Sequence, residues 1–340
     1  MPLPLILGIG AGIAALVGVG TGINGAVKMS EANDTIKSAE TKQNNALRKL
    51  KSHQESTFNL MDDLGKQELL ILKSFEKFSD TIERIQGRPK FNDFQKDGIT
   101  IPKFEPGDLK DVSVGAGILL GGVGGAAAGT LGGFAAAGAT TAAVTALGTA
   151  STGTAIASLS GAAATNATLA ALGGGAIAAG GGGIALGTTL LGAATLGVGL
   201  LVGGVIFSIT GNSLSDKADE AYRQACSTEE KVDSICQYLS KLKKYAGDFK
   251  KTLSSVECSY KEHMEKLEQI VIGQKKVQWK DFSDKEQLIT QNTCLLVGRL
   301  YEMCEVKLVL KKRENDDESE VNVKGILDAN AKADKLLEEI

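Results

Sequence analysis

The chain has 340 residues with 37 basic and 40 acidic side chains, a formal net charge of -3 and five cysteines. That near-neutral balance, without a basic stripe interleaved with aromatics, gives no reason to expect nucleic-acid binding. The totals average an uncharged middle with strongly charged ends: from Val112 to Ser215, 104 consecutive residues contain no Asp, Glu, Lys, Arg or His. Soluble domains place charge on their surfaces, so a run of this length has to be buried against protein or in lipid along most of its course.

Residues 1–28 open the chain with an apolar stretch, Leu3 to Val27, that has no charge before Lys28. It lacks a basic leader and a clear cleavage site, so it does not read as a cleaved signal peptide. It is long enough to span a bilayer and reads as a retained apolar helix. Residues 29–111 form the next segment. A long amphipathic helix is expected over Met29 to Gln86, with one core series Leu50, Thr57, Leu64, Ile71, Phe78, Ile85 and a second Leu47, Gln54, Met61, Glu68, Phe75, Ile82. Alternating spacings of three and four make this a coiled-coil or bundle seam, in which Gln54 and Glu68 are polar intrusions of the kind that fix register. Gly87, Arg88 and Pro89 stop the helix, and a connector with Pro102 and Pro106 follows.

Residues 112–215 are the uncharged segment. Gly117, Gly121, Gly125, Gly129 and Gly133 recur every fourth residue and, on a helix, form one side-chain-free groove. Such a groove lets another backbone approach closely, the glycine-zipper mode of packing in apolar media. Gly183 with Gly187, and Gly199 with Gly203, repeat the spacing. The most membrane-like parts are about 114–144 and 183–209; the centre, 150–182, is only weakly apolar. The simplest layout is a helical hairpin or four short helices. Glycine, serine and threonine contribute little transfer energy, so the segment suits a protein that packs it away in water and inserts it later.

Residues 216–340 complete the chain. A second long helix is expected over Asp216 to Val271, with core series Ala218, Ala225, Val232, Leu239, Ala246, Leu253, Tyr260, Leu267 and Ile235, Leu242, Phe249, Val256, His263, Ile270. Gly273 ends it, and Trp279 sits in a turn. Ser283 or Asp284 caps a helix running to about Lys312 with Leu288, Leu295, Met303 and Leu310 inward; a charged break precedes a last helix over 328–340. No strand is expected outside the connector. The fold class is therefore all-α: an elongated helical bundle or coiled coil carrying a long Gly/Ala-rich hydrophobic insertion.

Catalytic chemistry finds little support. Gly121-Gly122-Val123-Gly124-Gly125 does not follow a strand and lacks the Lys-Ser/Thr of a phosphate loop. His53 and His263 stand alone, and Cys226, Cys236, Cys258, Cys294 and Cys304 show no metal spacing. A disulfide between Cys226 and Cys236 on one helix is excluded, because ten helical residues span about 15 Å. Free thiols in a reducing compartment, no enzyme and no cofactor are expected.

Two long amphipathic helices interrupted by a neutral hydrophobic insertion resemble the α-helical pore-forming toxins of the cytolysin A and haemolysin BL type. The Gly/Ala-rich part is also similar to bacterial glycine-zipper membrane proteins and, more loosely, to apolipoprotein-L-like channel formers. The resemblance implies a soluble bacterial form that hides a hydrophobic tongue and converts to a membrane-bound homo-oligomer, with lipid and an activating or inhibitory protein as partners. Two other readings fit the residues: a membrane scaffold whose coiled coil recruits partners, and a soluble homo-oligomer that keeps the neutral helices buried.

Overall fold

The computed structural model describes residues 23–90, 106–123, 214–311 and 319–340, together with Ala139. Among them the fold is all-α, with five α-helices: α1 (Ile23–Glu83), α2 (Pro106–Val123), α3 (Leu214–Glu268), α4 (Asp284–Glu305) and α5 (Val323–Glu339). Two three-residue strands, β1 (Val309–Lys311) and β2 (Ser319–Val321), pair antiparallel with Val309 opposite Val321. The described residues fall into two compact units. One contains α1 up to Lys51 and α3 up to Ser234; the other contains the remainder of both helices with α2, α4, α5 and the strands.

In the first unit the helices meet through small side chains. Ala32 and Ile36 pack on Ala218, and Ala39 packs on Ala221 and Ala225. Lys42 pairs with Glu229, and Lys49 with Asp233 at 2.8 Å. These contacts advance together along both helices, so α1 and α3 run parallel here.

The second unit is built on larger side chains. Thr57, Leu64, Ile71, Phe75, Phe78 and Ile82 of α1 are buried, as are Leu239, Leu242, Phe249, Leu253, Val256, Tyr260 and Leu267 of α3. Phe75 and Tyr260 meet edge to face with centroids 6.3 Å apart, a geometry that adds about 1 kcal/mol beyond the area buried. The pairing is again parallel: the Thr57 hydroxyl donates to the Leu239 carbonyl at 3.5 Å, Lys250 pairs with Asp63 at 3.2 Å and Lys77 with Glu268 at 2.8 Å. At the far end Gln86 and Gln278 form a parallel bridge, with Gln86 N–H on Val277 O at 2.7 Å and Trp279 N–H on Gln86 O at 2.9 Å. Gly87 turns the chain out of α1 at a φ of 72°, in the left-handed region where a side chain is strained.

Several boundaries differ from the sequence expectation. α1 begins at Ile23, so the apolar-to-charged change at Lys28 lies inside a helix. α3 gives way after Glu268 to a π-helical turn over Gln269–Gly273. α4 stops at Glu305, short of Lys312: Val306 turns to an extended backbone as its C-cap, and Val309–Lys311 enter a strand pairing that was not expected. α5 starts at Val323, ahead of 328, because the Asn322 side chain caps it by accepting from Gly325 N–H at 3.0 Å. Leu288, expected inward, is 49% exposed. Leu47, Gln54 and His263 are only half-buried.

The start of α4 is a complete capping box. Ser283 N–H donates to Glu286 at 2.8 Å, the Ser283 hydroxyl accepts from Glu286 N–H, and Lys276 anchors the same carboxylate at 2.6 Å. The Lys276 hydrogen bond, followed by that from Ser283 N–H, holds the Glu286 carboxyl below its usual range. Ser283→Ala is expected to lower the unfolding free energy by about 1 kcal/mol, read as an earlier urea midpoint without a change in slope.

Candidate membrane-active site

The point where the uncharged segment joins the charged helices is resolved. Pro106 begins α2, its fixed φ suited to a first helical turn, with Asp108 in that turn. Lys110, one of the last charges before the neutral run, bridges Glu83 at 2.7 Å and Asp80 at 3.0 Å. The Glu83 and Asp80 carboxylates together raise the Lys110 ammonium above its ordinary value. One turn on, the Ser113 hydroxyl donates to the Lys73 carbonyl at 2.6 Å. Going forward along α2 therefore means going back along α1, so the two are antiparallel. Leu109, Val112 and Ala116 are buried, whereas Val114 is 45% exposed. The neutral run thus starts docked in protein, held by one apolar stripe and one hydroxyl.

Beside this dock lies an unusual core. Glu68 is wholly buried, and neither carboxylate oxygen has a hydrogen-bond partner among the described residues. Burial pushes its carboxyl well above the usual range. Cys304 Sγ of α4 lies 4.0 Å from the Glu68 carbonyl oxygen, and burial, then the Glu68 and Glu257 charges, push that thiol up as well. On either side of Cys304, burial raises the carboxyls of Glu302 and Glu305. Buried Arg299 pairs with Glu302 and leaves its own Nε without a partner among the described residues. These acids gather at the C-terminal, electronegative end of α4, where the helix dipole also disfavours anions. The heptad pattern places Glu68 in the core, but among the described residues its carboxyl has no partner that would make it a register device.

The zipper glycines are met only at their start. Gly117 lies on α2, half-buried, and a Cβ built there would touch nothing within 4 Å. Gly121 lies on the same helix. Gly125, Gly129, Gly133, Gly183, Gly187, Gly199 and Gly203 lie outside the described residues, as does the N-terminal apolar stretch before Ile23. Among the described residues no helix is long and apolar enough to cross a membrane. The five cysteines are free, Cys236, Cys294 and Cys304 buried and Cys258 exposed.

The parallel pairing of α1 with α3 and the Ser113 hook are not legible in the sequence. Neither protein-family models, curated proteins nor solved structures provide a match to this chain.

Proposed function

We propose that the protein is a non-enzymatic, membrane-permeabilising protein of the pore-forming kind. In this reading the charged helices form an elongated bundle that stores residues 112–215 and releases them into lipid as subunits oligomerise through the zipper glycines. The observation that carries it is the 104-residue uncharged run between Asp111 and Asp216, which has no stable place in water unless it is covered.

Two structural features support it. The dock of α2 is small and partly polar, so releasing it costs little compared with the core of α1 and α3. The parallel course of those helices supplies the second. α1 begins at Ile23 and α3 at Leu214, and near these starts Ala32 and Ile36 pack on Ala218. The N-terminal apolar stretch and the C-terminal end of the neutral run therefore enter the first unit at the same end. A permeabilising protein that inserts both gains from this arrangement, because two apolar segments reach one membrane patch together.

The purified protein is expected to release dye from liposomes and to float with them on a density gradient. Flotation without release would replace this reading with a scaffold, and failure of both would leave the neutral run buried in protein. Joint replacement of Gly121, Gly125 and Gly129 by Ile is expected to slow release roughly tenfold, the factor given by about 1.4 kcal/mol of lost helix packing. Unchanged release in that variant would remove the zipper from the mechanism.

A further inference from the structure

The seam between α1 and α3 in the second unit is mostly charge-matched, with Lys250 on Asp63 and Lys77 on Glu268. One stretch breaks the rule. A cleft of about 640 Å³ opens there, lined from α1 by Ser52, His53, Ser56 and Thr57 and from α3 by Ser240, Lys243, Lys244, Gly247, Asp248 and Lys251. The α3 positions fall on one helix face at spacings of three and four. Across from the lysines α1 presents hydroxyls and an imidazole and contributes no carboxylate to the lining.

The cations of this cleft are underused. Asp248 is the one acid in the lining and reaches Lys251 at 3.5 Å. Lys244 lies over the Tyr245 ring, 5.6 Å from its centroid. Lys243 has no ion pair, and the Ser52 and Ser240 hydroxyls no hydrogen bond, among the described residues. At the centre Gly247 withholds a side chain; a Cβ there would meet Leu60 Cδ2 at 3.8 Å, ordinary contact, so its absence leaves room. The lining contains no Phe, Tyr or Trp and no Leu, Ile, Val or Met to hold a hydrocarbon.

The geometry points to a binding site for a phosphate-monoester group, held between the Lys243, Lys244 and Lys251 ammonium groups and the hydroxyls of Ser52 and Ser240. Lysine serves phosphate as a point charge, and serine hydroxyls complete the oxygen shell. The ligand is compact, anionic and polar, and its phosphate comes from a soluble phosphorylated compound or from a monoester lipid headgroup. This inference does not depend on the fate of the neutral run.

Calorimetric titration of the full chain with inositol trisphosphate tests the site, alongside flotation with phosphatidylcholine vesicles with or without phosphatidic acid. The joint variant Lys243→Gln, Lys244→Gln, Lys251→Gln is compared with a charge-matched control, Lys66→Gln, Lys266→Gln, Lys285→Gln, at exposed helix positions outside the cleft. Binding weakened roughly tenfold or more in the cleft variant alone is the expected result, from loss of charge-assisted contacts. Vesicles containing phosphatidic acid that compete with the soluble probe identify a headgroup site; binding of the soluble probe without such competition identifies a soluble ligand. Equal weakening in both variants, or no binding of either probe, overturns the site.

Discussion

Glu68→Leu is expected to stabilise the protein at neutral pH by about 2 kcal/mol, an unusual sign for the loss of a core side chain. A buried carboxyl without a partner leaves polar atoms unmet whether neutral or ionised, which costs about 1–3 kcal/mol that an apolar side chain of similar size does not. Here both carboxylate oxygens lack partners among the described residues, and the side chain is fully buried. Leucine suits the position by volume and helix propensity. Glu68→Gln separates charge from polarity: it is expected to recover part of the gain, since a buried amide without partners still costs about 1–3 kcal/mol.

The pH dependence has a definite sign. Burial raises the folded carboxyl of Glu68 above its unfolded value, so between those two values the folded state holds the extra proton. Stability is then greatest on the acid side and falls as pH rises through the folded value, at most by about 1.4 kcal/mol per pH unit for one group. Glu302 and Glu305, raised chiefly by burial, contribute with the same sign. Glu286, lowered chiefly by Lys276, acts oppositely and only towards the acid end. Urea midpoints measured from about pH 5 to pH 8 should therefore decline in the native chain and flatten in Glu68→Leu. A native chain that gains stability over that range, or a leucine variant weaker than the native chain, would show that the carboxyl is not buried as described. Under the proposed function Glu68 is also placed to matter, since the same helix offers the Lys73 carbonyl to Ser113.

Much of the helical architecture was legible because heptad periodicity is strong where core and surface differ most. The series from Leu50 to Ile85 and from Ala218 to Leu267 are buried at every predicted position. Direction was harder. The contacts of Thr57 with Leu239, Asp63 with Lys250 and Lys77 with Glu268 advance together along both helices, which defines a parallel pair; but apolar series alone also satisfy an antiparallel one. The hairpin of Val309–Lys311 with Ser319–Val321 was hidden because three-residue strands are shorter than the window in which alternation can be told from a helix end. Ser113 looked like one more small polar residue in a neutral run, and only its approach to Lys73 gives it a role. The cleft beside Gly247 was invisible for a similar reason: its residues come from two helices whose pairing had first to be known.

Placing two aspartates in the neutral run, Leu191→Asp with Val205→Asp, is expected to abolish dye release. An acidic side chain near the middle of a bilayer costs about 2.5–3.5 kcal/mol on the insertion scale and less towards the interface; the two positions are about 21 Å apart on a helix, so only one can lie near the middle and the pair reduces the inserted population roughly 10²-fold or more. The control adds the same two charges at exposed helix positions, Leu70→Asp with Leu288→Asp, where each leucine is 49% exposed in the native chain. Surface changes of that kind shift stability by about 0.5 kcal/mol or less, so the control should leak nearly as the native chain does. Helical content by circular dichroism checks that both pairs remain folded. Equal loss in the two pairs would attribute the effect to repulsion between protein and anionic vesicles, a possibility that raising the salt would expose through screening. Full leakage from Leu191→Asp with Val205→Asp would mean that this part of the run never enters the hydrocarbon. The work would then fall to residues 114–144 and the N-terminal stretch, whose shared requirement for an uncharged surface makes them the next to receive the same two charges.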